Sequence, residues 1–168
     1  MEMMGRVLNI LGTVIILGII LISIPFLVPK IMGYHVYDVI SGSMEPEYPK
    51  GCLVLVKPLE PAQVQEGDVI TFQVSSASDA VTTHRVVGID ENKQIFRTKG
   101  DANSGQDAEP VAFQRLVGKV MFKIPLLGNY ARFIRSTPGT VTGIFLFIIA
   151  ILLWYLGSIL TPGKPKRE

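Results

Sequence analysis

Ser41-Gly42-Ser43-Met44-Glu45-Pro46 follows a short apolar run, Val36-Tyr37-Asp38-Val39-Ile40, and Pro46 and Pro49 interrupt regular structure just after it. Ser43 is therefore expected where a strand gives way to a turn, beside a glycine that can take unusual backbone angles. Such a position exposes a hydroxyl together with neighbouring backbone N–H groups. Serine holds its proton at neutral pH, so it needs an adjacent base, and the base needs orienting. Thr83-His84-Arg85 supplies a histidine, a residue type whose ordinary pKa of roughly 6.5 lies near working pH. Lys99-Gly100-Asp101 and the nearby Asp107 supply carboxylates that could fix its tautomer and stabilise the imidazolium. Ser43, His84 and one of Asp101 or Asp107 form a chemically sufficient set for acyl transfer. The Ser43 backbone N–H is the natural first donor to an oxyanion.

Adjacent β-strands would have to bring these residues together. From Val36 to about Phe122 the chain reads as short β-rich runs between Gly, Pro, Ser and Asp clusters. The runs are Val36–Ile40, Cys52–Lys57, Asp68–Val74, Val81–Ile89, Gln94–Thr98 and Phe113–Phe122, with a hairpin turn at Glu91-Asn92-Lys93. The fold class expected is mainly β: a compact antiparallel domain flanked by N- and C-terminal transmembrane helices.

Of the 168 residues, 48% are hydrophobic, and the mean hydropathy is +0.40, too apolar for an ordinary soluble domain. Residues 7–28 form an apolar run of 22 residues, about 33 Å as a helix, enough to span a hydrocarbon core of about 30 Å. It is too long for a typical cleaved signal segment and is expected to be an anchor. Residues 139–161 form the second span, with Trp154 and Tyr155 near its end. The expected order is a short cytoplasmic segment 1–6, the first helix, an extracytoplasmic domain with a membrane-proximal basic connector over 29–138, the second helix, and a basic tail 162–168. Arg6 and Lys164-Pro165-Lys166-Arg167 put both ends on the cytoplasmic side, while Arg132 and Arg135 pull the other way.

Between Lys30 and Pro138 there are 12 Lys+Arg and 12 Asp+Glu, so no nucleic-acid footprint is expected. The single cysteine, Cys52, excludes an intramolecular disulfide and reads as a buried strand residue. Two histidines without metal-type spacing argue against a metal site, and no cofactor is expected. His35 reads as a surface or interfacial side chain. Lys99, beside Gly100, reads as a solvated loop residue.

The order and spacing of Ser41–Pro46, Glu66-Gly67-Asp68, Thr83–Gly88 and Thr98–Asp107 between two apolar segments resemble the type I signal peptidases. The likeness covers roughly residues 5 to 160 and is nearest to the branch of archaea, the endoplasmic reticulum and some Gram-positive bacteria, which has a histidine where most bacterial enzymes have lysine. The resemblance implies that Ser43 is the nucleophile, His84 the base and Asp107 the third member, with Asp101 a brace. It makes Ser41, two residues before the nucleophile, the candidate second oxyanion donor. It further implies removal of signal peptides from pre-proteins after small residues, in an Ala-x-Ala-like pattern, by a multi-pass protein of the cell membrane. The partners so implied are the pre-protein, the lipid bilayer and the secretion translocon. A non-catalytic membrane-tethered β domain is the alternative. A self-cleaving repressor-type protease would want a lysine base and a DNA-binding domain, and neither is offered.

Overall fold

The computed structural model describes residues 1–75 and 78–161. The basic tail 162–168 and the middle of the Ser75–Ala80 loop fall outside them. The described chain divides into two compact units: one from Phe26 to Arg132, the other built from the segments before and after it.

The first unit is a seven-stranded antiparallel sheet with the order β1-β2-β7-β3-β4-β5-β6. The strands are β1 (His35–Asp38), β2 (Leu53–Lys57), β3 (Val69–Gln73), β4 (Val81–Asp90), β5 (Ile95–Lys99), β6 (Val111–Ala112) and β7 (Leu116–Ile124). β2 shows why the apolar runs lack polar alternation. Val54 and Val56 pack with Met44, Cys52, Val69 and Val120. Leu53 and Leu55, on the opposite face, pack with Val36 and Ala131. A strand covered on both faces needs apolar side chains at every position. A third cluster gathers Ile70 and Phe72 with Val86, Phe96 and Val111.

The Glu91–Lys93 hairpin turn is present, with the Lys93 N–H donating to the Asp90 side chain at 3.1 Å. Three boundaries differ from the sequence expectation. The run from Phe113 begins as a 3-10 turn, Phe113–Arg115, and becomes β7 only at Leu116. β6 is an additional two-residue strand. Lys99 is the last residue of β5, opposite Arg85, rather than part of a loop. Within the expected connector, a helix α2 (Leu127–Arg135) forms, and its Ala131 joins the Val36 and Leu53 cluster.

The second unit holds most of α1 (Glu2–Ile31) and all of α3 (Thr137–Leu160). Both are long and apolar enough to cross a membrane, with mean hydropathies of 2.8 and 2.5. α1 is longer than the expected span. Glu2 starts it, where the helix dipole favours a negative charge, and Arg6 lies 3.8 Å from that carboxylate. Gly33, at φ +82°, ends it, and the Tyr34 N–H reaches back to the Pro29 carbonyl at 2.9 Å. The two helices meet at small residues: a Cβ on Gly12 would lie 2.9 Å from the Ala150 carbonyl oxygen, and one on Gly157 would lie 2.8 Å from that of Gly5.

Candidate active site

The turn that carries Ser43 is held from below by its neighbour. Met44 is 2% exposed and sits among Cys52, Val54 and Val56, so the side chain after the serine is a plug in the core. The Glu45 N–H closes the turn on the Gly42 carbonyl at 3.1 Å, and the Tyr48 N–H reaches the Met44 carbonyl at 2.8 Å. A second segment holds the turn from above. The Ala102 N–H donates to the Ser43 carbonyl at 2.9 Å. Gly100 permits this approach, because a Cβ there would lie 2.7 Å from the Ser43 carbonyl oxygen.

His84 projects from β4 and is 8% exposed. Its Nε2 lies 3.1 Å from Ser43 Oγ, and its Nδ1 lies 2.6 Å from Asp107 Oδ2. An ionised carboxylate only accepts, so Nδ1 carries the proton in the neutral ring and Nε2 presents its lone pair to the serine hydroxyl. Serine, imidazole and carboxylate thus form one hydrogen-bonded line.

Asp107 is fixed twice by Thr98 of β5. The Thr98 hydroxyl donates to Asp107 Oδ2 at 2.7 Å, and the Asp107 N–H donates to the Thr98 carbonyl at 2.8 Å. Thr98 is 1% exposed, and sequence reasoning missed it. The available signal was weak: a threonine ending a strand just before the Lys99-Gly100-Asp101 turn.

Asp101 lies elsewhere. It receives Arg85 Nε at 2.8 Å and Nη2 at 2.6 Å, and Arg85 Nη1 donates to the Gly67 carbonyl at 2.8 Å. Donating to the Asp101 carboxylate raises the Arg85 pKa, so the guanidinium stays charged. This bidentate pair ties β4 to the Gly100–Ala102 segment that holds Ser43. The two candidate carboxylates are thus separated in space: Asp107 on the histidine, Asp101 on the arginine.

Ser41 Oγ lies 3.2 Å from Ser43 Oγ. Its hydroxyl is within reach of an oxygen developing beside Ser43 Oγ, and the Ser43 N–H makes no backbone hydrogen bond among the described residues. His35 is exposed at the start of β1, with its ring 6.3 Å from that of Tyr37. Among the described residues no group of His, Cys, Asp and Glu could hold a metal ion.

A cleft of about 230 Å³ opens beside Ser41 and Ser43. Tyr37, Val39 and Ile40 from β1 and the turn after it, and Val81 and Thr83 from β4, line it. The β4–β5 ladder begins only at Arg85, so Val81–His84 has no second strand partner among the described residues. An extended peptide could pair with that edge and pass the serine.

Comparison with known proteins places these residues in a wider group. Residues 8–93 match the family described as signal peptidase, peptidase S26. Ser43 and His84 lie inside that match, Asp101 and Asp107 beyond it. The chain is 46% identical over 87 residues to signal peptidase I W of Bacillus subtilis (strain 168), which covers 50% of this chain and 45% of that protein. It is 34% identical over 123 residues to the signal peptidase complex catalytic subunit SEC11 of Zygosaccharomyces rouxii, 69% of this chain and 62% of that one. The SEC11 subunit of Saccharomyces cerevisiae (strain YJM789) is 29% identical over 119 residues, with 69% and 62% covered. The chain thus spans between 45% and 62% of the length of these relatives.

Proposed function

The chain belongs to the peptidase S26 family of signal peptidases, in the branch that has histidine in place of lysine, and on that premise we propose that it is a membrane-bound serine endopeptidase that removes signal peptides from secreted pre-proteins. The observation that carries this is the line Ser43 Oγ, His84 Nε2, His84 Nδ1, Asp107 Oδ2, with gaps of 3.1 and 2.6 Å.

In the proposed reaction Ser43 Oγ attacks the scissile carbonyl carbon while its proton passes to His84 Nε2. Asp107 holds the ring in the required tautomer and balances the imidazolium. The Ser43 N–H and the Ser41 hydroxyl donate to the oxyanion. His84 then returns the proton to the leaving amine. Water, deprotonated by His84, hydrolyses the acyl-enzyme. Asp101, through Arg85, braces the segment that holds Ser43.

The substrate is an extended segment with small residues at the first and third positions before the cut, and the cleft between Tyr37–Ile40 and Val81–Thr83 takes both. The proposed segment order is the one read from the sequence: a cytoplasmic N-terminal stretch, an anchor, an extracytoplasmic domain, a second span and a cytoplasmic tail. Arg132 and Arg135 weigh against this topology; Arg132 is paired with Asp38 at 3.0 Å. Bilayer lipid and the secretion translocon that delivers pre-proteins are the remaining partners of this reading.

The test is cleavage of a pre-protein with an Ala-x-Ala site by the purified full chain in detergent, with mass spectrometry locating the cut. The expected result is cleavage at that site, abolished by Ser43→Ala. Cleavage that survives Ser43→Ala would overturn the assignment.

A further inference from the structure

A second cleft, of about 180 Å³, lies under the same stretch of β4 but on the opposite face. The register of β3 and β4 sets the faces. Phe72 lies opposite Thr82 and Ile70 opposite His84, while Thr71 lies opposite Thr83. Side chains alternate along a strand, so Thr82 and His84 point one way and Val81 and Thr83 the other. Val81 and Thr83 face the cleft that opens on Ser43; Phe72 and His84 face the second cleft. Thr82 borders both, so the two spaces meet at the unpaired edge of β4.

A peptide laid along that edge alternates in the same way. When the first and third residues before the cut enter the cleft beside Ser43, the residue between them points to the other face, over Thr82 and His84. We propose that the second cleft binds the side chain of that middle residue and selects a large apolar one. This rests on the endopeptidase reading above and adds a specificity that small-x-small selection leaves open.

The chemistry of the walls supports the choice. Phe72, Val74 and Val111 supply apolar surface. The Phe72 ring stands edge-on to the His84 imidazole at 6.4 Å, so the floor runs directly under the base. The cleft is open to solvent and measures about 180 Å³, room for a leucine or phenylalanine side chain laid over Phe72, Val74 and Val111. The charges at the rim do not favour an acid. The Arg115 guanidinium is committed to the Val74 carbonyl at 2.7 Å and the Pro110 carbonyl at 2.8 Å, where it fixes the wall. Glu109 adds an exposed carboxylate at the same cleft. A large side chain seated here also covers His84, sheltering its bond to Asp107 from water.

The experiment uses the full chain in detergent and pre-proteins identical except at the middle residue: Gly, Leu, Phe or Asp between two alanines. For wild type, kcat/KM is expected to be about tenfold higher with Leu or Phe than with Gly, the low end of what hydrophobic pockets discriminate, and lowest with Asp. Val74 is half exposed, so Val74→Asp tests the wall without opening the core. It is expected to bring the Leu-to-Gly ratio close to one, and Glu109→Gln to raise Asp relative to Gly. Ratios within one variant cancel any loss of folded enzyme. Equal rates for Gly, Leu and Phe would overturn the proposal and leave the peptidase reading standing. So would a ratio that Val74→Asp leaves intact. Failure of wild type to cut any of the four would overturn both.

Discussion

At the residue scale the two carboxylates make different predictions because they have different partners. Asp107 touches His84, whereas Asp101 touches Arg85. Asp107→Asn presents an amide that can leave the imidazole in the wrong tautomer, and kcat is expected to fall by about 10³–10⁴. Asp101→Asn loses a charge-assisted pair remote from the reacting atoms, and a loss of about tenfold is expected, with reduced thermal stability. Equal losses would refute the division of roles. Thr98 is a positioning residue that donates to the same Asp107 oxygen as His84. Without it, the carboxylate is free to turn away from the ring. Thr98→Val is therefore expected to lower kcat about tenfold with KM little changed, with Thr98→Ser restoring it. A merely structural role would lower the amount of folded enzyme and leave kcat per folded enzyme unmoved.

At the element scale, packing and spacing set what the sequence could tell. The turn at Ser41–Pro46 and the β4 histidine were legible because each stands beside an apolar run with its own punctuation. The Thr98 hydroxyl was not. Its meaning depends on where the Gly100–Asp107 loop returns, which no local pattern records. β6, two residues long, is too short for any periodicity, and the 3-10 turn at Phe113 shares its apolar composition with the strand that follows. Gly100 gives the sharpest prediction here. Gly100→Ala would press a methyl group against the Ser43 carbonyl and move Ser43 away from His84. Activity is expected to fall at least tenfold, since small misplacements of reacting groups are costly, while circular dichroism shows a folded domain. Cys52, buried just before β2, predicts the opposite behaviour. Burial pushes its thiol pKa up, so the folded state holds the neutral form. Its contribution is present below the ordinary thiol pKa and is lost as pH rises through the folded value. Native protein is expected to resist alkylation that unfolded protein undergoes, and Cys52→Ala to flatten the alkaline decline in stability.

At the scale of the whole molecule, the helix pair and the sheet domain answer to different forces. α1 and α3 approach through glycine, so Gly12→Leu is expected to destabilise the pair in detergent by about 1–3 kcal/mol. Gly18→Leu, where nothing lies within 4 Å of the added carbon, is expected to leave the unfolding temperature unchanged. The sheet carries a different kind of incompleteness. Val81–His84 lies beyond the end of the β4–β5 ladder, one strand short, next to Ser43. An exposed edge is a standing invitation to any extended chain, including a second copy of this one. Of its four residues two are threonines and one is the histidine, which gives a stray strand little apolar surface to hold. In the proposed reading the residues before the cut lie along this edge, so severing the chain leaves their backbone hydrogen bonds in place, and letting that half go would be a step separate from the chemistry.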